Sequence, residues 1–479
     1  MNIELFLKED ERIKLSIIRY LDARPETFIK VSFFCEILGI KSTKLLRLLE
    51  ELENELKECN GNPKITKKGL YIEGNNLSLQ LIKEVQLNYL QSSSTYLYFK
   101  DLLKEKVTPQ VFGKKYFFSD GSGFAKQKLL RKFFSDYDIN VKNGFLIGSE
   151  LKIRNLYFSF FYEVYEGIAS PFSKDTQHFV DEFIQLLTNV FDLDISYLNK
   201  IKLKLLIGIS ISRIQNNCYL SEKEDYFVFN DSNKVWDIIY KFIKKRLIVK
   251  ESESLFREFK YILGFIKYDC MEDINILIKA DIFKNFDCIS ELISESILLK
   301  IKLKENKRAE LFKNQIKEIN RSHKIFDFIL YAFSSKTQLQ MIRNAYPYLS
   351  TAISTTLEEY KDQLQLNNFT AENQLFYKYI YLTKSLYLPS DLQQPVYIYI
   401  DFSLGELYTQ YISEEVKNMK DLNIHIQKNM STETDVYLSD CISYKSGVKT
   451  IIWKTNPTTE DWRKLRKLII LIYNHKNDL

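Results

Sequence analysis

Apolar positions recur at helical intervals through most of the chain, broken by two short alternating stretches and by a last segment with strand-like runs. Ile13, Ile17 and Leu21 predict an amphipathic first helix. In VSFFCEILGIKSTKLLRLLEELENEL, Val31 to Leu56, the spacing predicts a short helix ending near Gly39 and a longer one starting at Ser42, whose hydroxyl can cap it. With Cys35 as the small contact residue, Phe34, Leu38, Ile40, Leu45 and Leu48 point inward, as in a helix-turn-helix. Leu46 and Leu49 then bring apolar surface close to the outer face. Ile65 to Ile72 alternates across the basic turn Lys67-Lys68-Gly69, which predicts a two-stranded wing.

The same order repeats. Leu79 to Gln91 and Tyr96 to Lys106 read as helices, and TPQVFGKKYFFSDGSGFAKQKLLRKFF follows with a short helix, a turn at Ser119-Asp120-Gly121 and a longer helix from Ser122. Ala125, Leu129 and Phe133 are its expected inner stripe. Asn143-Gly144, between Ile139 and Ile147, is a strong hairpin signal and predicts a second wing.

What remains outward has one chemistry. Lys41, Ser42, Thr43, Lys44 and Arg47 open the first long helix, and Lys67 and Lys68 lie on its wing. Lys114, Lys115, Lys126, Lys128, Arg131 and Lys132 play the same part in the second unit. Such cations and hydroxyls suit phosphates and major-groove base edges, which makes these residues the candidate contacts to double-stranded DNA. The net charge of +6 is small against 68 basic and 62 acidic residues, but Lys104 to Lys132 holds eight basic residues against Glu105 and Asp120. The excess therefore has an address in the second unit.

From about Ser170 to Gln394 the pattern is helical almost throughout. One stripe is Phe179, Phe183, Leu186 and Val190; another is Ile201, Leu205, Ile209 and Ile211; a third is Val235, Ile238, Phe242 and Leu247. Helices are also predicted at Ile289 to Leu303, Leu311 to Ile319, Ile325 to Phe333, Ala345 to Leu357 and Leu375 to Leu386. Two bundles of about 110 residues fit this stretch. The period then changes: strands at Pro395 to Asp401, Asn423 to Lys428, Asp435 to Asp440 and Lys449 to Thr455 alternate with helices at Leu404 to Met419 and Thr458 to Asn474. That order predicts a small α/β domain with a mainly parallel sheet.

Composition narrows the function. Fourteen Gly and eight Pro in 479 residues argue against a sandwich or propeller. The acidic amino terminus lacks a signal peptide, and no apolar run reaches about 18 residues, so a cytoplasmic chain with no membrane contact is expected. Six scattered cysteines and four separated histidines suggest neither a zinc site nor a Cys/His hydrolase; neither a cofactor nor an enzyme is expected.

Tandem helix-turn-helix units followed by LIGSELKIRNLYFSFFYEVY, Leu146 to Tyr165, resemble the Mga/AtxA-type virulence regulators of Gram-positive bacteria, through Gly148, Glu150, Ile153 and Arg154. The resemblance implies a mainly α multidomain chain: winged helix-turn-helix units at 1–75 and 76–168, phosphotransferase-type regulation domains (PRDs) at 169–284 and 285–394, and a domain similar to the EIIB component at 395–479. It implies a DNA-binding activator that assembles as a dimer or larger oligomer through its carboxy-terminal domain, with phosphocarrier proteins of the sugar phosphotransferase system as further partners. His178 and His323, one in each bundle, are the candidate phosphorylation sites, although the family's histidines tend to follow the arginine that ends a helix like Ile201 to Arg213, where Asn216, Asn217 and Cys218 stand here. The loop after the first strand, Asp401-Phe402-Ser403-Leu404-Gly405, lacks the EIIB cysteine, and Cys441 is expected to be a buried free thiol. The alternatives are a PRD-type RNA-binding antiterminator, which requires a β-rich amino terminus, and a phosphotransferase-system component, which requires that missing cysteine.

Overall fold

Alternation of helix and hairpin signals produces two winged units in succession. The computed structural model describes residues 3–476 other than 26, 58, 60–61, 230–232, 247–251, 304–305, 329–335, 367–368, 393, 443–447 and 455. The chain divides into two compact units, one of residues 1–279 with 325–330, the other of 280–324 with 331–479.

The first unit begins with α1 (Glu9–Asp22), β1 (Ile29–Lys30), α2 (Val31–Leu38), α3 (Ser42–Leu56), β2 (Lys64–Lys68) and β3 (Tyr71–Asn75). Gly39 ends α2 in the left-handed region, with φ of 62°, so the turn into α3 needs a residue without a β-carbon penalty. Phe34, Leu45 and Leu48 are buried as expected; Leu38 and Ile40 are half-buried, and Leu49 is also core, so it adds no apolar surface to the outer face. Ser42 does not cap: it is the first helical residue, and the preceding Lys41 has no capping side-chain bond. The wing has three strands rather than two, in the order β1-β3-β2 and antiparallel throughout.

The second winged unit comprises α4 (Leu79–Ser92), α5 (Ser94–Lys104), α6 (Pro109–Tyr116), α7 (Asp120–Ser135), β4 (Asn140–Lys142) and β5 (Phe145–Ile147). Asn143 and Gly144 both take positive φ at its hairpin, as Asn-Gly turns do. The turn before α7 is shorter than expected, because Ser119 caps the helix by accepting from the Ser122 amide and α7 begins at Asp120. That start rephases the helix: Gly123, Gln127, Leu130, Phe133 and Phe134 face inward, Ala125 is exposed and Leu129 only half-buried. Gly123 lets α7 approach α6 closely, since a β-carbon there would lie 2.6 Å from the Pro109 carbonyl oxygen. The two winged units share a core, with the Phe6 ring centroid 5.3, 5.4 and 4.9 Å from those of Phe99, Phe133 and Phe160.

The helix α8 (Glu150–Tyr165) buries 13 of its 16 residues and therefore acts as a strut through this unit rather than as a linker. Around it follow α9 (Lys174–Phe191), α10 (Tyr197–Ile214), β6 (Phe227–Phe229), α11 (Asn233–Arg246), α12 (Ser252–Tyr268) and β7 (Ile276–Ile278). Leu247 of the expected third stripe lies outside the described residues.

The second unit opens with α13 (Ala280–Lys300), a helix that runs through the boundary expected at 284/285. Next come α14 (Lys307–Ile325), α15 (Lys336–Ala345), α16 (Pro347–Glu359), α17 (Phe369–Leu386) and the short α18 (Pro389–Leu392). The helix expected from Ile325 to Phe333 is not formed over 326–328: Phe326 and Phe328 leave α14 and pack in the first unit, Phe328 with its centroid 3.9 Å from that of Phe158. Residues 329–333 of that expectation lie outside the described residues. The α/β part contains β8 (Val396–Asp401), α19 (Glu406–Lys417), β9 (Ile424–Gln427), β10 (Val436–Ser439), β11 (Lys449–Ile452) and α20 (Thr459–Lys476). Its strands lie in the order β11-β10-β8-β9 and every pair is parallel, as the alternation with helices predicts. Ile398, Ile400, Val436, Leu438, Ile412, Leu465 and Ile469 form its core.

Candidate nucleic-acid interface

The two long helices of the winged units present different electrostatics. On α3, Lys41, Ser42 and Thr43 are exposed, but Lys44 and Arg47 are already engaged. Lys44 Nζ lies 2.7 Å from Glu9 and 3.0 Å from Asp10 on α1; Arg47 lies 2.7 Å from Asp10 and 2.5 Å from Glu51. Hydrogen bonds from Arg47 and then Lys44 hold the Asp10 carboxyl below its ordinary range. Two of the expected phosphate contacts therefore reach the surface with their charge locally compensated. On the wing Lys67 is exposed, while Lys68 lies 3.6 Å from Glu73 and 4.8 Å over the Phe28 ring.

On α6 and α7 compensation is sparser. Lys114, Lys128 and Lys132 are exposed and make no ion pair among the described residues. Arg131 is exposed and its Nε donates to the Val141 carbonyl at 3.0 Å, which ties the helix to its wing. Lys126 is half-buried, donating to Ser122 Oγ at 2.5 Å and lying 4.9 Å over the Phe118 ring; burial lowers its pKa. Lys115 is turned to its own unit, 2.9 Å from Asp101 and 2.5 Å from Glu105. Thus Lys114, Lys128 and Lys132 are the cations best placed to exchange counterions for phosphates, and Lys115 and Lys126 hold the scaffold.

Sequence reasoning missed the apolar part of this face. Phe124, on α7, is 51% exposed, and Phe117, between α6 and α7, is 96% exposed with φ of 58°. Phe124 would have been legible had the inner stripe been counted from Asp120, because 123, 127, 130 and 134 then turn inward and 124 outward.

The same unit holds a buried ionic cluster. Arg154, only 1% exposed, donates through Nε to Glu150 at 3.0 Å and through Nη2 to Glu258 at 2.9 Å; its Nη1 also bonds Glu258. Arg213 makes two bonds to Glu150, each of 2.9 Å, and Glu258 also accepts from the Leu220 amide at 2.9 Å. Burial alone would lower the Arg154 pKa, but Glu258 and Glu150 outweigh it and keep the guanidinium charged. Glu150 and Arg154 thus join α8 to α10 and α12. At the start of α8, Glu224 accepts from Ser149 Oγ at 2.6 Å and the Leu151 amide at 3.1 Å.

The regulatory candidates separate. His178 is exposed, with its Nε2 3.4 Å from Glu182. His323 is 7% exposed on α14, and burial, then Lys378 and Lys324, lowers its pKa to about 3. Of the two candidate phosphorylation sites it is therefore the one placed in the core. Cys441 is exposed, not buried, because it stands in the loop after β10 at the carboxyl end of the sheet. In the neighbouring loop Ser403 bonds through amide and hydroxyl to Asp440, the amide at 2.9 Å. No group of residues fit to hold a metal ion occurs among the described residues, and no described helix is long and apolar enough to cross a membrane.

Residues 78–161 match the family model of the Mga helix-turn-helix domain. The match runs from α4 through the β4–β5 wing into α8, and contains Gly148, Glu150, Ile153 and Arg154. No curated protein matches the chain.

Proposed function

We propose that this chain, a member of the Mga/AtxA-type family by its Mga helix-turn-helix domain, is a DNA-binding transcriptional regulator that docks on duplex DNA through α7 and the β4–β5 wing. The observation that carries this reading is the set Lys114, Lys128 and Lys132, exposed and without ion pairs among the described residues. Lys41, Ser42, Thr43 and Lys67 form a second, weaker contact on the first unit, with Lys44 and Arg47 held in reserve by Glu9, Asp10 and Glu51. Three helices and a small sheet at residues 9–75 favour this reading over an RNA-binding antiterminator.

On this reading the chain is an activator of five modules, the two helical regions act as PRDs, and the α/β part is a non-catalytic EIIB-like domain through which copies associate. Ser403 in place of a cysteine supports the non-catalytic assignment, since a hydroxyl is a poor phosphoryl acceptor and the neighbouring Asp440, held below its ordinary range by the bonds from Ser403, is a weak base. A response to sugar phosphotransferase status would act through His178, which is exposed. Footprinting on the DNA upstream of its own gene tests the reading. Protection over more than one helical turn, reduced on Lys128→Ala, is expected; no protection at low salt refutes it.

A further inference from the structure

Most phenylalanines of the first unit pack against other rings, as Phe99 stacks on Phe134 and Phe133 meets Phe6 edge to face. Phe117 and Phe124 do not: both are exposed and neither has a ring partner among the described residues. Phe117 is moreover held in the left-handed region, a conformation unfavourable for a bulky side chain. Along α7 the buried line is Gly123, Gln127, Leu130 and Phe134, and the exposed line on the other side is Gly121, Phe124, Ala125, Lys128 and Lys132. The outer face therefore changes character along its length. Its first two turns offer no side-chain donor or acceptor at 121, 124 or 125, and its later turns offer ammonium groups.

An apolar patch beside uncompensated lysines fits a polyanion that also carries apolar groups. In the major groove of DNA that group is the thymine methyl, which alanine and phenylalanine touch in direct readout. We propose that α7 reads thymine methyl groups through Phe124 and Ala125, with Phe117 as an apolar flank and Lys128 and Lys132 fixing the helix on the phosphates. The assignment rests on the reading of α7 as the DNA-contacting helix and adds to it what the helix discriminates. Charge selects the occupant: Lys104 to Lys132 carries eight basic residues against two acidic ones, which disfavours a second copy of the same face.

The test uses the full-length protein and fluorescence anisotropy on duplexes of about 30 base pairs, close to three helical turns. They share one sequence with an A·T core, made with thymine or with uracil; a third has a G·C core. Removing one buried methyl group should weaken binding about fourfold, so the uracil duplex should bind the wild type about four- to fifteenfold more weakly. The double variant Phe124→Ser/Ala125→Ser, which removes both apolar contacts, should bind both A·T duplexes alike, while Phe124→Leu, which keeps an apolar side chain, should retain discrimination. Equal binding of the thymine and uracil duplexes by the wild type overturns methyl readout and leaves DNA binding standing, as does discrimination that survives Phe124→Ser/Ala125→Ser. Loss of self-association in Phe124→Ala by sedimentation, with discrimination unchanged, assigns the patch to a protein interface and overturns the proposal. Absence of binding to all three duplexes overturns this inference and the DNA reading together.

Discussion

Replacing Glu258 with alanine removes one of the two carboxylates that balance Arg154 and Arg213 in the core of the first unit. The remaining Glu150 then faces two guanidinium groups, 3.0 Å from Arg154 and 2.9 Å from Arg213, in a site where both arginines are almost fully buried. Breaking a buried pair by removing one partner costs about 3–5 kcal/mol, because the charge left behind is desolvated and unpaired. The Leu220 amide loses its acceptor as well, so the upper half of that range is expected. With two compact units a single global unfolding free energy is ill-defined, and native-state hydrogen exchange on the amides of α8, α10 and α12 is the suitable assay. Protection there should fall by about 4–5 kcal/mol, while amides of α16 and α17 in the other unit stay unchanged. The double variant Arg154→Met/Glu258→Leu should recover most of the loss, since apolar groups of similar volume replace the pair without stranding a charge. A loss under about 1 kcal/mol in Glu258→Ala, or a double variant as unstable as the single one, refutes the claim that this cluster holds α8 in place.

Two further outcomes follow from charges whose state is set by their surroundings. Glu9→Gln/Asp10→Asn should release Lys44, while Arg47 keeps Glu51, and should tighten duplex binding at low salt and steepen the dependence of log K on log salt by about 1, at about 0.9 for each phosphate neutralised; an unchanged slope in anisotropy titrations means that α3 does not face the DNA. His323 has a folded pKa of about 3 against an ordinary 6.5, so the folded state binds fewer protons, and its contribution is fully present above pH 6.5 and lost as pH falls toward 3. Urea unfolding followed in α14 and α17 should weaken by up to about 1.4 kcal/mol per pH unit below that point, and His323→Gln should flatten the slope; an equal slope in both proteins contradicts it.

Legibility in the sequence depends on how local the cause is. The α2–α3 turn follows from Gly39, the second wing from Asn143-Gly144, and the parallel sheet from strands alternating with helices; each signal lies within a few residues of its effect. The phase of α7 is misread from the sequence because Ser119, not Asp120 or Gly121, is the boundary residue, and a shift of two positions sends Ala125 outward and Gln127 inward. Ile29–Lys30 is too short to show a period of two, and becomes a strand only by pairing with Tyr71 and Ile72. The ionic cluster is invisible in the sequence because Arg154 and Glu258 are 104 positions apart. Within the candidate site, residue type and exposure are legible for Lys41, Lys114, Lys128 and Lys132; compensation of Lys44 and Arg47 by α1 is not, since it depends on how two helices pack.

If α7 is the helix that contacts DNA, the exposed, uncompensated cations of the second winged unit carry affinity for the duplex. The most direct test is the salt dependence of binding, by fluorescence anisotropy on one duplex, for the wild type and for the triple variant Lys114→Ala/Lys128→Ala/Lys132→Ala. The variant should bind more weakly at low salt, and the slope of log K against log salt should become shallower by about 2–3, at about 0.9 for each phosphate no longer neutralised. The same affinity and the same slope in both proteins would exclude these lysines from the DNA contact.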